Sequence, residues 1–375
     1  MASHDQRAAP YSEQLLMVTI PAAIGRRFIV GITGSEMSAT ERELFGKLRP
    51  GGIILRAPNV LEKVSYEIWR GGLQALIESA HEAAGRDRLL VAIDHEGGRV
   101  HRLPAPITHF PPPIKWPQHA RAVAEAMGTE LRSLGFNVVF GPVADIHSNL
   151  DNPVIGTRSF GSDPNTVATA VVEAMHGYRA AGIVPVAKHF PGHGDTHQDS
   201  HELLPYLPHA LSKLLSRELV PFQRICASGF PCIMTAHILF PELDAAFPAT
   251  LSGRILRGIL RDLLGFKGIV VTDDCDMKAI TNQFPDSVVA ERLFPSGVDL
   301  GLFNHDLPRA VRIAEETTTL ATRSEGFRAA LEERNQAIED FFHSTLCTSS
   351  FSALDQSTLS KHQHLLTLVE TTSAV

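Results

Sequence analysis

Residues 89–99 read LLVAIDHEGGR, a short apolar run that ends abruptly in charged side chains and two glycines. The apolar part, residues 89–93, has the length and composition of a buried β-strand. The polar part begins at Asp94 and ends at Arg99, and its glycines indicate a loop. The segment therefore predicts a strand whose carboxyl end is followed at once by groups capable of chemistry.

The same unit recurs along the chain, with longer segments of helical periodicity between the strands. The helical segments are residues 117–134, 164–181, 211–227 and 252–264. Parallel neighbours need a crossover helix, so this alternation predicts a parallel sheet, and eight strands are enough to close a barrel. The predicted fold class is α/β, a single (β/α)8 TIM-type barrel. The eight predicted strands are residues 27–32 (RFIVGI), 52–55 (GIIL), 89–93 (LLVAI), 137–140 (NVVF), 184–187 (VPVA), 232–236 (CIMTA), 268–272 (GIVVT) and 298–303 (VDLGLF).

A change in composition near residue 340 divides the chain into two regions. Residues 1–340 are predicted to form the catalytic barrel. Residues 341–375 are rich in Ser and Thr and are predicted to be a tail or a terminal helix, either packed on the barrel exterior or partly disordered, without a part in the chemistry.

Polar side chains follow nearly every predicted strand, and in a (β/α)8 barrel the active site lies at the carboxyl ends of the strands. This asymmetry predicts an enzyme. The groups concerned are Asp94–Arg99 after the third strand, residues 151–158 after the fourth, Lys188 and His189 after the fifth, His237 after the sixth, Asp273 and Asp274 after the seventh, and Asn304 and His305 after the eighth.

Composition excludes several classes of protein. The 375 residues are 44% apolar and 20% charged, as in a folded globular chain, and the net charge of −7 argues against a nucleic-acid partner. No apolar run is long enough to span a membrane. Four scattered cysteines indicate reduced thiols rather than a disulfide framework. Residues 15–25 (LLMVTIPAAIG) follow acidic residues and precede two arginines, an order atypical of a secretory signal, so a cytoplasmic location is expected.

The segment of residues 188–201, KHFPGHGDTHQDSH, places histidines four residues apart. On a helix they would form one face and suggest a metal site, but Pro191, Gly192 and Gly194 predict a loop instead. A zinc site built from loop residues stays open at this point. For His197 we expect a structural role in the turn.

One pair of residues and one single carboxylate stand out as candidate catalysts. Asp199 lies two residues before His201, so its carboxylate can fix the imidazole tautomer and prepare it to exchange a proton near neutral pH. Asp273 follows a hydrophobic strand and would face the barrel mouth, as a nucleophile for displacement at an acetal carbon must. For Asp274 and Asp276 we expect only capping of the following helix.

These motifs carry a family resemblance. The loop KHFPGHGDT…DSH, with AIDHEGGRVHRL before it and VTDDCDM after it, resembles the β-N-acetylglucosaminidases of glycoside hydrolase family 3 over residues 28–301. The resemblance implies that Asp273 is the nucleophile and that His201 is the general acid/base, with Asp199 as its partner, on a mobile loop. It further implies that a sugar contacts five residues: Asp94, Arg102, Arg158, Lys188 and His189.

The implied activity is retaining hydrolysis of terminal N-acetylglucosamine from muropeptides or related glycans, as in cell-wall recycling. Three alternatives remain: a phosphorylase on the same barrel, a β-glucosidase, or a non-catalytic sugar-binding barrel. Family glucosidases usually supply the acid/base carboxylate from a second domain, which we do not expect here. We expect no cofactor and no metal. The expected partner is a small carbohydrate, with no nucleic acid and no membrane, and a monomer is favoured.

Overall fold

The computed structural model describes residues 18–200 and 202–372. Eight parallel strands close into a barrel, each hydrogen-bonded to its neighbours in sequence order, and β1 pairs with β8. The predicted (β/α)8 barrel is therefore confirmed. The strands are β1 (Phe28–Gly31), β2 (Gly52–Leu55), β3 (Leu90–Ile93), β4 (Val138–Val139), β5 (Val184–Phe190), β6 (Cys232–Thr235), β7 (Ile269–Asp274) and β8 (Leu300–Phe303).

Helices cover the outside of the barrel. The described part of the chain has five 3-10 helices, at Ala57–Asn59, Pro113–Lys115, Pro117–His119, Gly156–Arg158 and Ala249–Leu251, and π-helical turns at Arg254–Leu263 and Phe341–Thr345. No helix within residues 18–200 and 202–372 is long and apolar enough to cross a bilayer. The α-helices are α1 (Ala22–Gly25), α2 (Ala39–Leu48), α3 (Tyr66–Ala84), α4 (Ala120–Ser133), α5 (Pro164–Ala180), α6 (Leu211–Ser216), α7 (Val220–Ala227), α8 (Lys278–Thr281), α9 (Asp286–Arg292), α10 (Leu307–Arg323), α11 (Glu325–Glu332), α12 (Asn335–Asp340) and α13 (Gln356–Thr372).

Successive side chains of each strand point to opposite faces of the sheet, so the core has two layers. In β3, Val91 and Ile93 pack outward with the helices, whereas Leu90 and Ala92 pack inside the barrel. Both kinds of position are apolar because both faces of the sheet are covered. This explains why the strands read as continuous apolar runs and gives the site a rigid floor.

The amino-terminal end of the barrel is closed by residues beyond α12. Phe341, Phe342 and Leu346 are buried and belong to the same apolar cluster as the barrel interior. Arg88, just before β3, donates to the carbonyl of Leu346 at 3.1 Å. The segment therefore fills the end of the barrel opposite the predicted active site.

The last helix, α13, packs on the barrel exterior beside α4. His362 of α13 contacts the buried Glu130 of α4 at 2.7 Å. Phe351 forms a bridge with Leu134, and its ring lies over Gly135. Gly135 has a φ of +91°, and a Cβ there would meet the phenylalanine ring at 2.3 Å, so a side chain is excluded for two reasons.

Two predicted helices differ in the structure. The segment 211–227 forms α6 and α7, because Arg217 leaves helical geometry (φ −139°, ψ −80°) and Pro221 suits the first turn of a new helix. The helix predicted at 252–264 has π-helical turns from Arg254 to Leu263. The four cysteines are free thiols.

Candidate active site

A cleft opens at the carboxyl ends of the strands and consists of two adjoining cavities. The first, of about 330 Å³, is called the polar cavity here; the second, of about 520 Å³, extends toward β2 and β8. Asp94, Arg102 and Asp273 line both cavities. Seven of the eight predicted site residues line the polar cavity, and the eighth, His201, lies outside the described residues. The seven are Asp94, Arg102, Arg158, Lys188, His189, Asp199 and Asp273.

An ionic network forms one wall of the polar cavity. Glu96 accepts two hydrogen bonds from Arg158, both at 2.8 Å, in a bidentate pair. Lys188 Nζ bridges to Glu96 at 2.7 Å and to Asp94 at 2.6 Å. Burial would raise the pKa of Glu96, but Arg158 and Lys188 outweigh it and hold that pKa well below its usual range. Glu96 is therefore ionised near neutral pH.

Asp145 organises two histidines that line the polar cavity. His189 Nδ1 donates to Asp145 Oδ2 at 2.6 Å, and the backbone N–H of His193 donates to Oδ1 at 2.7 Å. Burial would raise the pKa of Asp145, but His189 and His193 lower it. Because Nδ1 of His189 is engaged by a carboxylate, Nε2 is the ring nitrogen left to a ligand.

The loop after β5 is fixed to the barrel over residues 191–200. Asn152 donates to the carbonyls of His193 and Gly194 at 2.9 and 3.1 Å. His193 Nε2 lies 3.0 Å from the hydroxyl of Ser200, and both residues are buried. A Cβ at Gly194 would lie 1.6 Å from the carbonyl of Ile146, so the loop passes very close to the neighbouring loop. This packing opposes motion of residues 191–200, whereas the family resemblance implies a mobile loop.

His197 and the other polar groups of this loop have structural partners. His197 is exposed, and its Nδ1 accepts from Asn149 at 3.1 Å, in keeping with the structural role expected for it. Asp195, His209 and Glu218 approach one another as metal ligands would. Arg217 contacts both carboxylates, so a guanidinium already supplies the positive charge at that place.

Asp273 stands near the end of β7, where the two cavities meet. The backbone N–H of Asp274 donates to its Oδ1 at 2.8 Å. Burial would raise the pKa of Asp273, but the nearby His189 and His237 lower it to about 2. Near neutral pH this side chain is therefore a carboxylate, as a nucleophile must be.

The expectation that Asp274 and Asp276 cap the next helix is wrong. The first turn of α8 has no side-chain cap. Asp274 Oδ1 accepts instead from the backbone of Asn304 at 3.0 Å, and Asp276 Oδ2 from that of His305 at 2.8 Å. The turn after β7 is thus bound to the loop after β8, because the barrel brings these two loops side by side.

Three imidazoles are stacked behind the loop that follows β3. The ring centroids of His95 and His101 are 4.5 Å apart, and those of His101 and His109 are 4.2 Å apart. His95 is fully buried, and burial holds its pKa well below the usual value. For His101, burial and then His109 lower the pKa to about 4. These two rings are therefore neutral near pH 7.

Four buried polar residues to which no individual role was assigned from the sequence support the site: Glu96, Asp145, His193 and His237. For Asp145 the only local signal is a carboxylate within an apolar stretch, residues 143–146 (VADI), just beyond β4. Its partner His189 is 44 residues away in sequence. Only the closed barrel brings them together.

Comparison with known proteins gives a consistent result. The profile of the "Glycosyl hydrolase family 3 N terminal domain" matches residues 12–332. A protein of Alkalilimnicola ehrlichii named beta-hexosaminidase is 37% identical over 295 residues, 76% of this chain and 81% of its own length. Beta-hexosaminidase A of Pseudoalteromonas piscicida is 38% identical over 291 residues, 72% of this chain. The match spans only 48% of that second protein, about half its length.

A solved structure has the same fold. The glycoside hydrolase family 3 beta-N-acetylglucosaminidase of Paenibacillus sp. superposes with a TM-score of 0.80 at 32% identity, covering 92% of this chain and 67% of that one. The match to the family profile extends over most of the present sequence, and it includes every strand of the barrel. The chain therefore belongs to glycosyl hydrolase family 3, one of the glycoside hydrolase families.

Proposed function

We propose that this chain is a retaining exo-β-N-acetylglucosaminidase that acts through a covalent glycosyl-aspartate on Asp273. The observation that carries the proposal is an ionised Asp273, with a pKa of about 2, at the junction of two cavities. In retaining glycosidases a carboxylate attacks the anomeric carbon as the leaving oxygen is protonated from the other side. Relatives named beta-hexosaminidase support an N-acetylhexosamine as the sugar.

The polar cavity is the proposed site of the sugar that is removed. Asp94, Arg158 and Lys188 present charged hydrogen-bonding groups to its hydroxyls, and their ion pairs hold them in place before the sugar binds. His189 adds a ring nitrogen whose orientation Asp145 fixes. Preorganised polar groups of this kind stabilise charge in the transition state without further rearrangement.

Proton transfer is assigned to His201, with Asp199 as its partner, on the basis of the sequence. Asp199 lines the polar cavity together with Asp273, which supports a proton donor on that side. His201 would protonate the leaving oxygen in the first step and accept a proton from the attacking water in the second. The larger cavity would then hold the rest of a muropeptide or chitooligosaccharide, and cell-wall recycling in the cytoplasm would supply such substrates.

The test is release of nitrophenol from 4-nitrophenyl N-acetyl-β-glucosaminide, with a chelator present. We expect wild-type turnover and a loss on the order of 10⁴-fold or more in Asp273→Asn, as for removal of a catalytic nucleophile. Asp262→Asn, at an exposed position, is the matched control and should keep wild-type rates.

Other outcomes identify the alternatives. Cleavage of the glucoside instead would indicate a β-glucosidase, and formation of a sugar phosphate in phosphate buffer would indicate a phosphorylase. A wild-type protein without turnover of either substrate would favour a non-catalytic sugar-binding barrel.

A further inference from the structure

His237 lies just after β6 and close to Asp273, yet it does not line either cavity. Its side chain is fully buried. Nε2 is 2.9 Å from the backbone carbonyl oxygen of Asp274, and Nδ1 is 2.7 Å from the hydroxyl of Thr250. The imidazole thus connects the 3-10 helix Ala249–Leu251 to the backbone carbonyl of Asp274, the residue after Asp273.

If His237 is neutral, its two hydrogen bonds can run in one direction only. A carbonyl oxygen only accepts, so Nε2 of His237 carries a proton. Burial lowers the pKa of His237, although Asp273 acts in the opposite direction, so the ring is neutral and Nδ1 must accept. Thr250 then donates its single hydroxyl proton to Nδ1. The hydroxyl of Thr235, 2.8 Å from that of Thr250, supplies the proton that Thr250 accepts.

One competing arrangement exists. The hydroxyl of Thr250 also lies 3.0 Å from the carbonyl oxygen of Ala236. If Thr250 donated there, Nδ1 of His237 would need its own proton and the buried ring would carry a positive charge. Burial lowers the pKa of His237 despite the nearby Asp273 and Asp274, so a charged ring is disfavoured, and the contact to Nδ1 is the shorter one. The neutral arrangement is therefore favoured.

We propose that His237 is a positioning residue for the nucleophile, locked in the Nε2–H tautomer by the hydroxyls of Thr235 and Thr250. This inference rests on the proposed function. Asp274 is held on both sides, since its carbonyl accepts from His237 and its N–H donates to Asp273 Oδ1 at 2.8 Å. The two threonines thus fix the carboxylate of Asp273 through His237 and the backbone of Asp274.

Thr250→Val removes the hydroxyl and keeps the shape, and Thr250→Ser restores the hydroxyl. Misplacing a reacting group by about 1 Å costs on the order of 100-fold in rate, so we expect kcat for the nitrophenyl glycoside to fall by about 10- to 100-fold in Thr250→Val. KM should stay unchanged, because neither Thr250 nor His237 lines the cleft. Thr250→Ser should recover kcat because it restores the hydroxyl. If Thr250→Val acted only through a packing defect, the smaller serine would not restore the rate.

Nitrogen-15 NMR of the imidazoles gives a readout that does not need activity, with His237→Gln to assign the signals. Wild-type protein at pH 7 should show His237 as the neutral Nε2–H tautomer, and Thr250→Val should show a mixture of tautomers. A doubly protonated His237 in the wild type would overturn the inference even if Thr250→Val failed to fold. So would a folded Thr250→Val with wild-type kcat. Wild-type protein without turnover would instead overturn the proposed function, while the tautomer would still be measured.

Discussion

At the scale of single residues, the cleft depends on charges that are buried and fully paired. Glu96 is 3% exposed and interacts with Arg158 and Lys188. Removing one partner from a buried ionic network leaves the others without compensation, whereas an exposed pair of the same geometry loses little. The chain contains both kinds, since Arg121 and Glu173 form a comparable two-point pair on the surface.

Glu96→Gln should therefore lower the free energy of unfolding by about 3–5 kcal/mol, measured by urea denaturation. It should also raise KM, because Arg158 and Lys188 lose the carboxylate that orients them in the polar cavity. Glu173→Gln is the matched control and should cost about 0–1 kcal/mol. Equal losses in the two variants would contradict the argument.

At the scale of elements, the barrel is closed at one end by chain from outside its eight strands. The π-helical turn Phe341–Thr345 and Leu346 follow α12 and pack under the strands. Asn137, just before β4, donates to the carbonyl of Cys347 at 2.9 Å, which fixes the segment further along. A substitution in this segment should therefore lower the stability of the fold without changing the chemistry at the opposite end of the barrel.

Phe342→Ala tests this separation. Phe342 is 2% exposed, and truncation of a buried phenylalanine costs about 3–5 kcal/mol, so its midpoint of urea unfolding should fall clearly. The kcat measured well below the unfolding temperature should stay at the wild-type value. Leu368→Ala, at a side chain that is 44% exposed on α13, is the control for truncation as such. A loss of under 1 kcal/mol in Phe342→Ala would show that the segment does not support the barrel.

At the scale of the whole molecule, stability is coupled to pH through buried neutral histidines. Burial lowers the pKa of His95, His101, His193 and His237, to about 4 for His101 and His193. In the unfolded chain the same groups have pKa values near 6.5. Between about pH 6.5 and 4 the unfolded state binds protons that the folded state excludes, so acidification through this window favours unfolding.

The free energy of unfolding should accordingly fall as the pH is lowered from about 6.5 to 4, measured by urea denaturation at fixed ionic strength. His101→Gln should make this dependence shallower, because it removes one group whose protonation the fold opposes. His343→Gln, at an exposed position, is the control for the loss of a histidine as such. An unchanged slope in His101→Gln would show that His101 is protonated equally in both states.

The sequence by itself determined the eight strands, the parallel order and the end of the barrel at which polar groups collect. These are local properties: apolar runs, helical periodicity, and the charged or glycine-rich residues directly after each strand. The loop of residues 188–201 also indicated the family, because its residue types are specific.

Only the tertiary structure decided which of these groups pair with one another. Glu96 meets Arg158 across 62 residues and His237 meets Asp274 across 37, and no local pattern encodes either contact. The same holds for the turn after β7, where Asp274 and Asp276 bind the next loop rather than the next helix. Such pairings depend on strand register and barrel closure, which set side chains from different strands within hydrogen-bonding distance.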